Sequence, residues 1–281
     1  MHRSLDALAQ GPFDVLILGG GITGAGVALD ASLRGFRVAL IDKGDFASGT
    51  SSVSSKLIHG GLRYLEYGQF PLVYEALHER RLLLHNAPHL VHPLRFVVPF
   101  FHGDRVRPWQ WRAALSLYDL LAGLGNLRRS RPLELPRLCR EFPKLVRTRL
   151  REGAEYYDAQ VDDARLCIEV LKTAAAHGAC IANYVEAVAF ETFGERITGV
   201  HAVDRAGGQE LLIHAQAVIN ATGPWVDSVC RRAGDTSGPH LQPTKGVHLV
   251  AEDLGFSSTA HFSRFFKAGT GMNFSEFKVL S

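Results

Sequence analysis

Short apolar runs alternate with glycine-rich and polar segments near the N-terminus, which predicts alternating strands and helices. Val15 to Leu18 form a continuous apolar run, typical of a parallel strand that is buried on both faces. A segment compatible with a helix begins after Gly21, and a second apolar strand, Val38 to Ile41, ends at Asp42. The order strand, glycine turn, helix, strand predicts an α/β unit that binds a dinucleotide.

Three glycines in the first turn, Gly19, Gly21 and Gly24, form the pattern G-x-G-x-x-G. Glycine permits the tight turn, lets the main chain approach a pyrophosphate and lets the helix pack closely on the strand. The free N–H groups and the positive dipole end of the helix favour phosphate groups there. Asp42 can accept hydrogen bonds from a ribose 2′-hydroxyl, which argues against a 2′-phosphorylated cofactor. The flanking strands and helix argue against a mere glycine-rich loop.

Later segments predict one more helix and several strands. The stretch "EYYDAQVDDARLCIEVLKTAAAHGA" (155–179) predicts an extended segment that enters a helix, with Asp162 and Asp163 as capping carboxylates. Capping is favoured over catalysis for these two acids. The stretches "CIANYVEAVAF", "RITGVHAVD" and "ELLIHAQAVINATG" predict strands, the last of which returns to the nucleotide-binding sheet.

The segment 105–131, "RVRPWQWRAALSLYDLLAGLGNLRRSR", predicts a helix with one apolar face and arginines at both ends. Trp111, Leu115, Tyr118 and Leu121 mark that face. Such a helix could lie on an anionic membrane surface, or it could pack on the body of the protein with its arginines in solvent. The sequence leaves both alternatives open.

The amino-acid composition excludes only a few classes of protein. The 281 residues are 46% hydrophobic and 21% charged, which is ordinary for a globular protein. A formal net charge of +3 does not by itself indicate nucleic acid as a partner. The four cysteines form no C-x-x-C pair, so we expect a reducing cytosol, no disulfide framework and no metal site. The N-terminus has no apolar core of a signal peptide, and no run approaches the ~20 apolar residues of a membrane span.

The stretch "SSKLIHGGLRYLE" (54–66) places a lysine, a histidine and an arginine around two adjacent glycines. Arginine is the strongest fixed partner for a phosphate dianion, because its planar fork can donate two parallel hydrogen bonds. A histidine can accept a proton near neutral pH. The stretch is therefore a candidate site that holds an anion and moves a proton.

The dinucleotide fingerprint and the stretch 46–66, "FASGTSSVSSKLIHGGLRYLE", together resemble the FAD-dependent glycerol-3-phosphate dehydrogenases that pass electrons to quinone. Further segments match that family in order: "HPLRFVVPFF" (92–101), "EYYDAQVDDARL" (155–166), "NATGPWVD" (220–227) and "KGVHLV" (245–250). The resemblance implies an α/β fold with a Rossmann-like FAD-binding domain and adjacent substrate-domain elements. It also implies oxidation of sn-glycerol 3-phosphate to dihydroxyacetone phosphate.

The resemblance implies roles for particular residues. Arg63 is expected to hold the substrate phosphate with Tyr64 beside it as a phenol donor, and His59 is the candidate proton acceptor. For His59, a hydrogen bond to the flavin or to the main chain is an equal alternative. The expected cofactor-binding residues are Gly19, Gly21, Gly24, Asp42, Thr50, Ser51, Ser52, Ser54, Ser55, Lys56, Ala221, Thr222 and Gly223. Lys56 could stabilise the reduced flavin by its charge.

After Val250 the pattern changes, although members of the family continue for well over a hundred residues. Residues 251–281 resemble the second helix-turn-helix of AraC/XylS-type transcription regulators, through "VAEDLGF", "SSTAHFSRFFKAGTG" and "MNFSEFK". We expect residues 12–250 to form a truncated oxidoreductase part and 251–281 a short helical tail that is not an independent domain. Because that tail is short and carries few charges, DNA binding by it is not expected.

Three functions of different classes remain open at this point. The first is an FAD-dependent glycerol-3-phosphate dehydrogenase with quinone as acceptor, cytoplasmic, with peripheral contact at the inner face of the cytoplasmic membrane. The second is a flavoprotein of the amino-acid-oxidase kind, against which the "KLIHGGLRYLE" context argues. The third is a DNA-binding fusion. Only the first accounts for most of the chain.

Overall fold

The computed structural model describes residues 3–194 and 196–242. Its strands are β1 (Phe13–Leu18), β2 (Val38–Ile41), β3 (Leu57–Ile58), β4 (Val91–Phe101), β5 (Arg131–Leu133), β6 (Leu150–Val161), β7 (Cys180–Ala182), β8 (Val185–Phe193), β9 (Arg196–Asp204) and β10 (Glu210–Asn220). Its helices are α1 (Leu5–Ala9), α2 (Ile22–Leu33), α3 (Phe70–Asn86), α4 (Pro108–Ala122), α5 (Leu135–Glu141), α6 (Asp163–Ala176) and α7 (Val226–Arg232).

The described chain divides into two compact units. Unit 1 comprises residues 3–56 and 161–242, and unit 2 comprises residues 57–160. The predicted boundary at residue 250 and the predicted helix-turn-helix tail lie outside the described residues. Along the chain, unit 2 is thus a segment inserted between the two parts of unit 1, and the expected substrate-domain elements stay a prediction.

Unit 1 is built on a six-stranded sheet in the order β7-β2-β1-β10-β9-β8. The strands β7, β2, β1 and β10 run parallel, and β9 and β8 continue the sheet antiparallel. The strand β2 spans the predicted residues, and β1 begins two residues earlier than predicted, at Phe13. The predicted return of the last strand to the nucleotide-binding sheet is confirmed, because β10 pairs directly with β1.

Both faces of this sheet are covered, which explains why β1 and β2 are apolar without alternation. On one face α2 and α6 pack together through small side chains, including Ala25, Ala28 and Ala174, with Leu171 fully buried between sheet and helix. On the other face Leu8 of α1 joins residues of β8, β9 and β10 in a second apolar cluster. The predicted helix is confirmed as α6, and Asp162 caps it by accepting a hydrogen bond from the Arg165 N–H at 3.1 Å.

Unit 2 contains a four-stranded sheet in which β6 lies between β3 and β4 and also pairs with β5. The helices of this unit are α3, α4 and α5. The predicted apolar face of α4 is packed inside this unit: Leu115 and Tyr118 are buried, and the Trp111 ring stacks on Phe100 with centroids 5.9 Å apart. This is the arrangement expected of a helix that packs on the body of the protein. Within residues 3–194 and 196–242, no helix is both long and apolar enough to span a membrane.

Candidate functional site: a cofactor cleft and a histidine–arginine turn

Unit 1 contains a cleft of about 710 Å³ at the carboxyl ends of its central strands. Leu18, Ile41 and Asn220 are the last residues of β1, β2 and β10, and they lie in register across the sheet. The residues that follow them therefore share one edge, which is where open α/β sheets bind ligands. Of the predicted cofactor-binding residues, the structure places these along the cleft: Gly19, Gly21, Asp42, Thr50, Ser51, Ala221, Thr222 and Gly223.

The glycine turn is closed by contacts that only glycine allows. Gly19 has a φ of +110°, and a Cβ there would lie 2.5 Å from the carbonyl oxygen of Ala221. A Cβ on Gly24 would lie 1.9 Å from the carbonyl oxygen of Gly19. Gly24 does not line the cleft itself, but it lets α2 approach β1. The predicted reasons for these two glycines agree with the contacts observed.

The carboxylate of Asp42 is held by the main chain at the end of β2. Its Oδ2 accepts a hydrogen bond from the Gly20 N–H at 2.6 Å, and its Oδ1 accepts one from the Gly44 N–H at 2.8 Å. Each oxygen keeps a lone pair for a further donor. The side chain is thus fixed between the glycine turn and the loop after β2, with capacity left for a ribose hydroxyl.

The serine-rich segment divides into two parts. The first part borders the cleft: Ser51 accepts a hydrogen bond from the Ile22 N–H at 2.9 Å and so covers the start of α2. Thr23 and Gly24, the next two residues of that helix, have N–H groups without a protein acceptor among the described residues. Free N–H groups at a helix N-terminus are suited to a phosphate group.

The second part of the segment binds elsewhere within unit 1. The Ser54 hydroxyl donates to Asp163 Oδ2 at 2.7 Å, and the Lys56 ammonium lies 3.9 Å from Asp163 Oδ1. Burial alone would raise the pKa of Asp163, but hydrogen bonds from Ser54 and Ala164 and the charge of Lys56 lower it below its usual value. Ser52, Ser54, Ser55 and Lys56 are not among the residues that line the cleft, so their predicted cofactor roles stay predictions.

Two residues that the sequence did not single out lie in or next to the unit 1 cleft. Cys167 is fully buried in α6, and its Sγ lies 3.5 Å from the Gly20 carbonyl oxygen. Burial and the nearby Asp42 charge raise the pKa of this thiol to about 11, so it remains protonated and unreactive at neutral pH. The Trp225 ring lines the cleft, with the Lys43 Nζ 4.0 Å from its centroid.

The histidine and arginine of the "HGGLRY" stretch lie on a tight turn of unit 2. The His59 Nδ1 accepts a hydrogen bond from the Gly61 N–H at 3.0 Å. Gly61 has a φ of +69°, and a Cβ there would lie 2.5 Å from the Tyr64 ring. Because Nδ1 is the acceptor, the neutral ring carries its hydrogen on Nε2. His59 therefore presents a hydrogen-bond donor at Nε2 in this arrangement.

Arg63 follows on the same turn. It is exposed, and its guanidinium has no hydrogen-bond or ion-pair partner among the described residues. Tyr64, next to it, is 43% exposed. A guanidinium that is held by no carboxylate of its own chain remains available for an external anion.

A buried polar network lies beneath this turn, and the sequence did not reveal it. The Gly60 N–H donates to the Tyr118 hydroxyl at 2.8 Å, and that hydroxyl donates to Asp158 Oδ1 at 2.7 Å. Arg80, whose side chain is fully buried, forms an ion pair with Asp158 and donates to the Tyr157 carbonyl at 3.0 Å. Burial first, and then the Asp158 charge, raise the pKa of Tyr118. The network fixes the main chain between His59 and Gly61.

Unit 2 also has a smaller cavity of about 420 Å³ that is rich in arginine. Its walls are formed by Arg128, Arg129, Arg131, Arg137, Glu155 and Tyr157. Buried Glu155 is paired with Arg95 at 2.6 Å, and the Arg128 guanidinium lies 5.4 Å from the Tyr157 ring centroid. The arginines after α4 thus surround a concave part of unit 2.

Comparison with known proteins identifies the family to which this chain belongs. The model of the FAD-dependent oxidoreductase family matches residues 14–273, so the chain belongs to that family. It is 44% identical over 251 residues to the mitochondrial glycerol-3-phosphate dehydrogenase of Rattus norvegicus, covering 85% of this chain and 34% of the relative. It is 42% identical over 247 residues to the aerobic glycerol-3-phosphate dehydrogenase of Staphylococcus saprophyticus, covering 87% and 44%.

The fold is also similar to that of a solved structure. The glycerol-3-phosphate dehydrogenase from Bacillus halodurans complexed with FAD is 32% identical, with a TM-score of 0.64, over 82% of this chain and 38% of that one. The chain thus spans less than half the length of these relatives. The resemblance to this family and the predicted fold class are confirmed.

The residues of the unit 1 cleft fit the cofactor of the family. The main chain is free of side chains at Gly19 and Gly21, N–H groups are unpaired at the start of α2, and Asp42 lies at the end of β2. These are the groups that the pyrophosphate and the ribose of FAD require. The prediction of FAD as the cofactor is confirmed at the level of the family.

Proposed function

We propose that this chain binds FAD in the unit 1 cleft and oxidises sn-glycerol 3-phosphate to dihydroxyacetone phosphate. Membership of the FAD-dependent oxidoreductase family and the similarity to glycerol-3-phosphate dehydrogenases support the reaction type. The observation that supports the substrate is the "HGGLRY" turn of unit 2. It presents a guanidinium that is unpaired among the described residues, four residues after an imidazole whose Nδ1 accepts a hydrogen bond from the main chain.

Arg63 is the proposed phosphate-binding residue. A phosphate dianion matches the two parallel N–H groups of a guanidinium, and charge-assisted hydrogen bonds of this kind contribute about 1.5–3 kcal/mol each. The buried network of Arg80, Asp158 and Tyr118 keeps the preceding turn in place, so Arg63 starts from an ordered main chain. Tyr64 offers a phenol hydroxyl beside it.

His59 is the proposed partner of the reacting C2 hydroxyl or of the cofactor. FAD, held by the residues of the unit 1 cleft, would supply the hydride acceptor for C2, and the C2 hydroxyl would lose its proton to a base. In the observed arrangement His59 donates at Nε2, which supports a hydrogen-bonding role more than the predicted role of proton acceptor. To accept a proton at Nε2, the ring would first have to move its hydrogen to Nδ1 and lose the bond from Gly61.

For the electron acceptor we propose quinone, and for the location we propose the cytoplasm with peripheral contact at the membrane. The support is that two relatives are a mitochondrial and an aerobic glycerol-3-phosphate dehydrogenase, together with the exposed side of α4. Trp109 and Leu120 of that helix are 62% and 75% exposed. A membrane contact would use these side chains, because the other face of α4 is buried in unit 2.

For the domain organisation we propose that residues 12–250 form the oxidoreductase part and that residues 251–281 are appended to it. The family match runs from residue 14 to residue 273, so it covers almost all of the first range and also the first 23 residues of the second. We do not propose nucleic acid as a partner, since the tail carries few charged residues.

Anaerobic reduction of the bound flavin tests this function. Glycerol 3-phosphate is added to the FAD-loaded chain, and loss of the visible flavin band is followed. Arg63→Gln should weaken the apparent affinity for glycerol 3-phosphate about 10- to 100-fold, from the loss of a charge-assisted bond. Arg151→Gln, at an exposed arginine of β6 in the same unit, is the matched control and should change little.

The alternative flavoprotein gives a different result in the same experiment. If glycine or L-proline bleaches the flavin and glycerol 3-phosphate does not, the proposed substrate is wrong. If glycerol 3-phosphate bleaches it but Arg63→Gln binds the substrate as well as wild type, the substrate stands and the assignment of Arg63 is wrong.

A further inference from the structure

The end of unit 1 brings together three side chains of different metal-ligating types. Cys230 lies in α7, and Asp235 and His240 lie in the loop that follows it. One ligand atom from each, the Cys230 thiol sulfur, an Asp235 carboxylate oxygen and a His240 ring nitrogen, lie within 4.8 Å of one another. The spacing Cys-x4-Asp-x4-His contains no cysteine pair, so a search for paired cysteines does not find this group.

Each of the three side chains is positioned by further hydrogen bonds. The Asp235 Oδ1 accepts from the Ser237 N–H at 2.8 Å and from the Ser237 hydroxyl at 2.6 Å, which leaves Oδ2 directed at the His240 Nε2, 2.7 Å away. The main-chain N–H of His240 donates to Asp227 Oδ1 at 2.7 Å, which holds the loop at the base of this side chain. Outer contacts of this kind orient the ligands of metal sites.

The thiol of Cys230 is also oriented. The Asn220 side-chain amide donates to Cys230 Sγ at 3.4 Å, and the Asp235 N–H donates to the Cys230 carbonyl at 3.0 Å. The amide of Asn220 thus fixes the direction of the sulfur, which is the atom of Cys230 that would bind a metal. Cys230 and Asp235 are half-buried and His240 is exposed, so an ion could reach the group from solvent.

We propose that Cys230, Asp235 and His240 form a site for a divalent transition metal of the Zn²⁺ type, with a fourth position open to water. Sulfur, imidazole and carboxylate together select Zn²⁺ or Co²⁺ over Mg²⁺ or Ca²⁺, which prefer oxygen ligands only. Neither the family nor the proposed oxidation requires such a metal. On binding, Asp235 and His240 exchange their mutual hydrogen bond for bonds to the ion.

Because of its position, the site would allow a bound metal to affect the structure of the cofactor cleft. Leu241 and Gln242, which follow His240, and Ser228 and Val229, which precede Cys230, line the cofactor cleft. A metal that joins the helix to the loop would fix this wall of the cleft. The site would therefore stabilise unit 1 without taking part in the redox reaction.

Titration of the full-length, metal-free chain with Co²⁺ tests the proposal. Thiolate coordination gives an intense sulfur-to-cobalt charge-transfer band in the near ultraviolet, and tetrahedral geometry gives intense visible bands. We expect both at saturation with one equivalent, and we expect Zn²⁺ to displace Co²⁺. Cys230→Ser should abolish the charge-transfer band, and His240→Gln should weaken Co²⁺ binding at least about tenfold.

Controls separate the site from adventitious binding and from misfolding. Cys139→Ser removes another half-buried cysteine, which lies in unit 2, and should leave the cobalt spectrum unchanged. Circular dichroism and the FAD content of each variant report whether unit 1 is folded. The proposal is overturned if wild type shows no charge-transfer band, or if the band persists in folded Cys230→Ser. It is also overturned if Co²⁺ binds equally well to folded His240→Gln.

Discussion

The two units present their functional groups on glycine turns, but they hold those turns in different ways. In unit 1 the turn is fixed by the main chain: the Gly19 N–H donates to the Ile41 carbonyl and the Ala221 N–H to the Leu18 carbonyl, both at 2.8 Å. In unit 2 the turn is fixed by buried side chains, since the Gly60 N–H donates to the Tyr118 hydroxyl above the Arg80–Asp158 pair.

This difference predicts which amino-acid substitutions each site tolerates. The turn of unit 1 depends on the absence of Cβ atoms and on few side chains, chiefly Asp42, which accepts from the Gly20 N–H. A side-chain site depends on every member of its network, because a buried polar or charged group without its partner is costly. The cofactor cleft and the histidine–arginine turn should therefore fail in response to different mutations.

The largest effect is expected at Asp158. Asp158→Ala leaves the buried Arg80 guanidinium without its carboxylate, and loss of one partner of a buried ion pair costs about 3–5 kcal/mol. Urea unfolding of the purified chain measures this loss. Glu152→Ala is the matched control, because it breaks a more exposed pair of the same strand with Arg112 and should cost about 0–1 kcal/mol. Equal effects of the two substitutions would contradict the role of the network.

Gly24→Ala should produce the next largest effect, and it should act on FAD. The new Cβ would overlap the Gly19 carbonyl at 1.9 Å, and overpacking of this kind costs about 1–3 kcal/mol. Flavin content after purification and urea unfolding both measure it. Gly26→Ala, in the same helix with open space around it, should bind FAD like wild type. If Gly24→Ala retains full FAD affinity, the close approach of α2 and β1 is not required.

Tyr118→Phe tests how much one hydroxyl contributes to the buried network of unit 2, since it removes that hydroxyl and leaves the ring. The Gly60 N–H loses its short acceptor, and Asp158 loses a donor, which should cost about 1–3 kcal/mol of unfolding free energy. Tyr156→Phe removes a neighbouring hydroxyl that makes no hydrogen bond within the described residues and should change stability by less than about 0.5 kcal/mol. The ranking of these two variants is measured by thermal and urea unfolding.

The smallest expected effect is a pH dependence at Asp163. Its folded pKa is lowered, so its bonds to Ser54 add stability that is present above the unfolded pKa of about 3.9 and is lost as pH falls through the folded value. Asp163→Asn should therefore be less stable than wild type at pH 7, by about 0.5–1.5 kcal/mol. The difference should shrink below about pH 4.

The cofactor cleft of unit 1 could be predicted from the sequence because the patterns that define it are local. Gly19, Gly24 and Asp42 each follow from the spacing of a turn and two apolar strands, and the structure brings Gly19 and Asp42 to one sheet edge as expected. The resemblance to glycerol-3-phosphate dehydrogenases added the identity of the cofactor. Local pattern could not show that Ser54 would bind Asp163, because the two residues are 109 positions apart.

The sequence was less informative for unit 2 because its site depends on distant side chains. Arg80 and Asp158 are separated by 78 positions, and an arginine within a helix is ordinarily expected on its exposed side. Tyr118 was predicted only as part of an apolar face of α4, which is confirmed, but its hydroxyl has a polar role. The orientation of the His59 ring depends on a hydrogen bond from the Gly61 N–H that no spacing rule reveals.

The central claim is that unit 1 holds FAD by its main-chain turn, and the visible absorption spectrum of the purified chain tests it most directly. We expect a flavin band that is present on purification or regained on addition of FAD, in an equimolar complex, and that Gly24→Ala weakens while Gly26→Ala does not. A folded wild-type chain that remains colourless at saturating FAD would contradict the account.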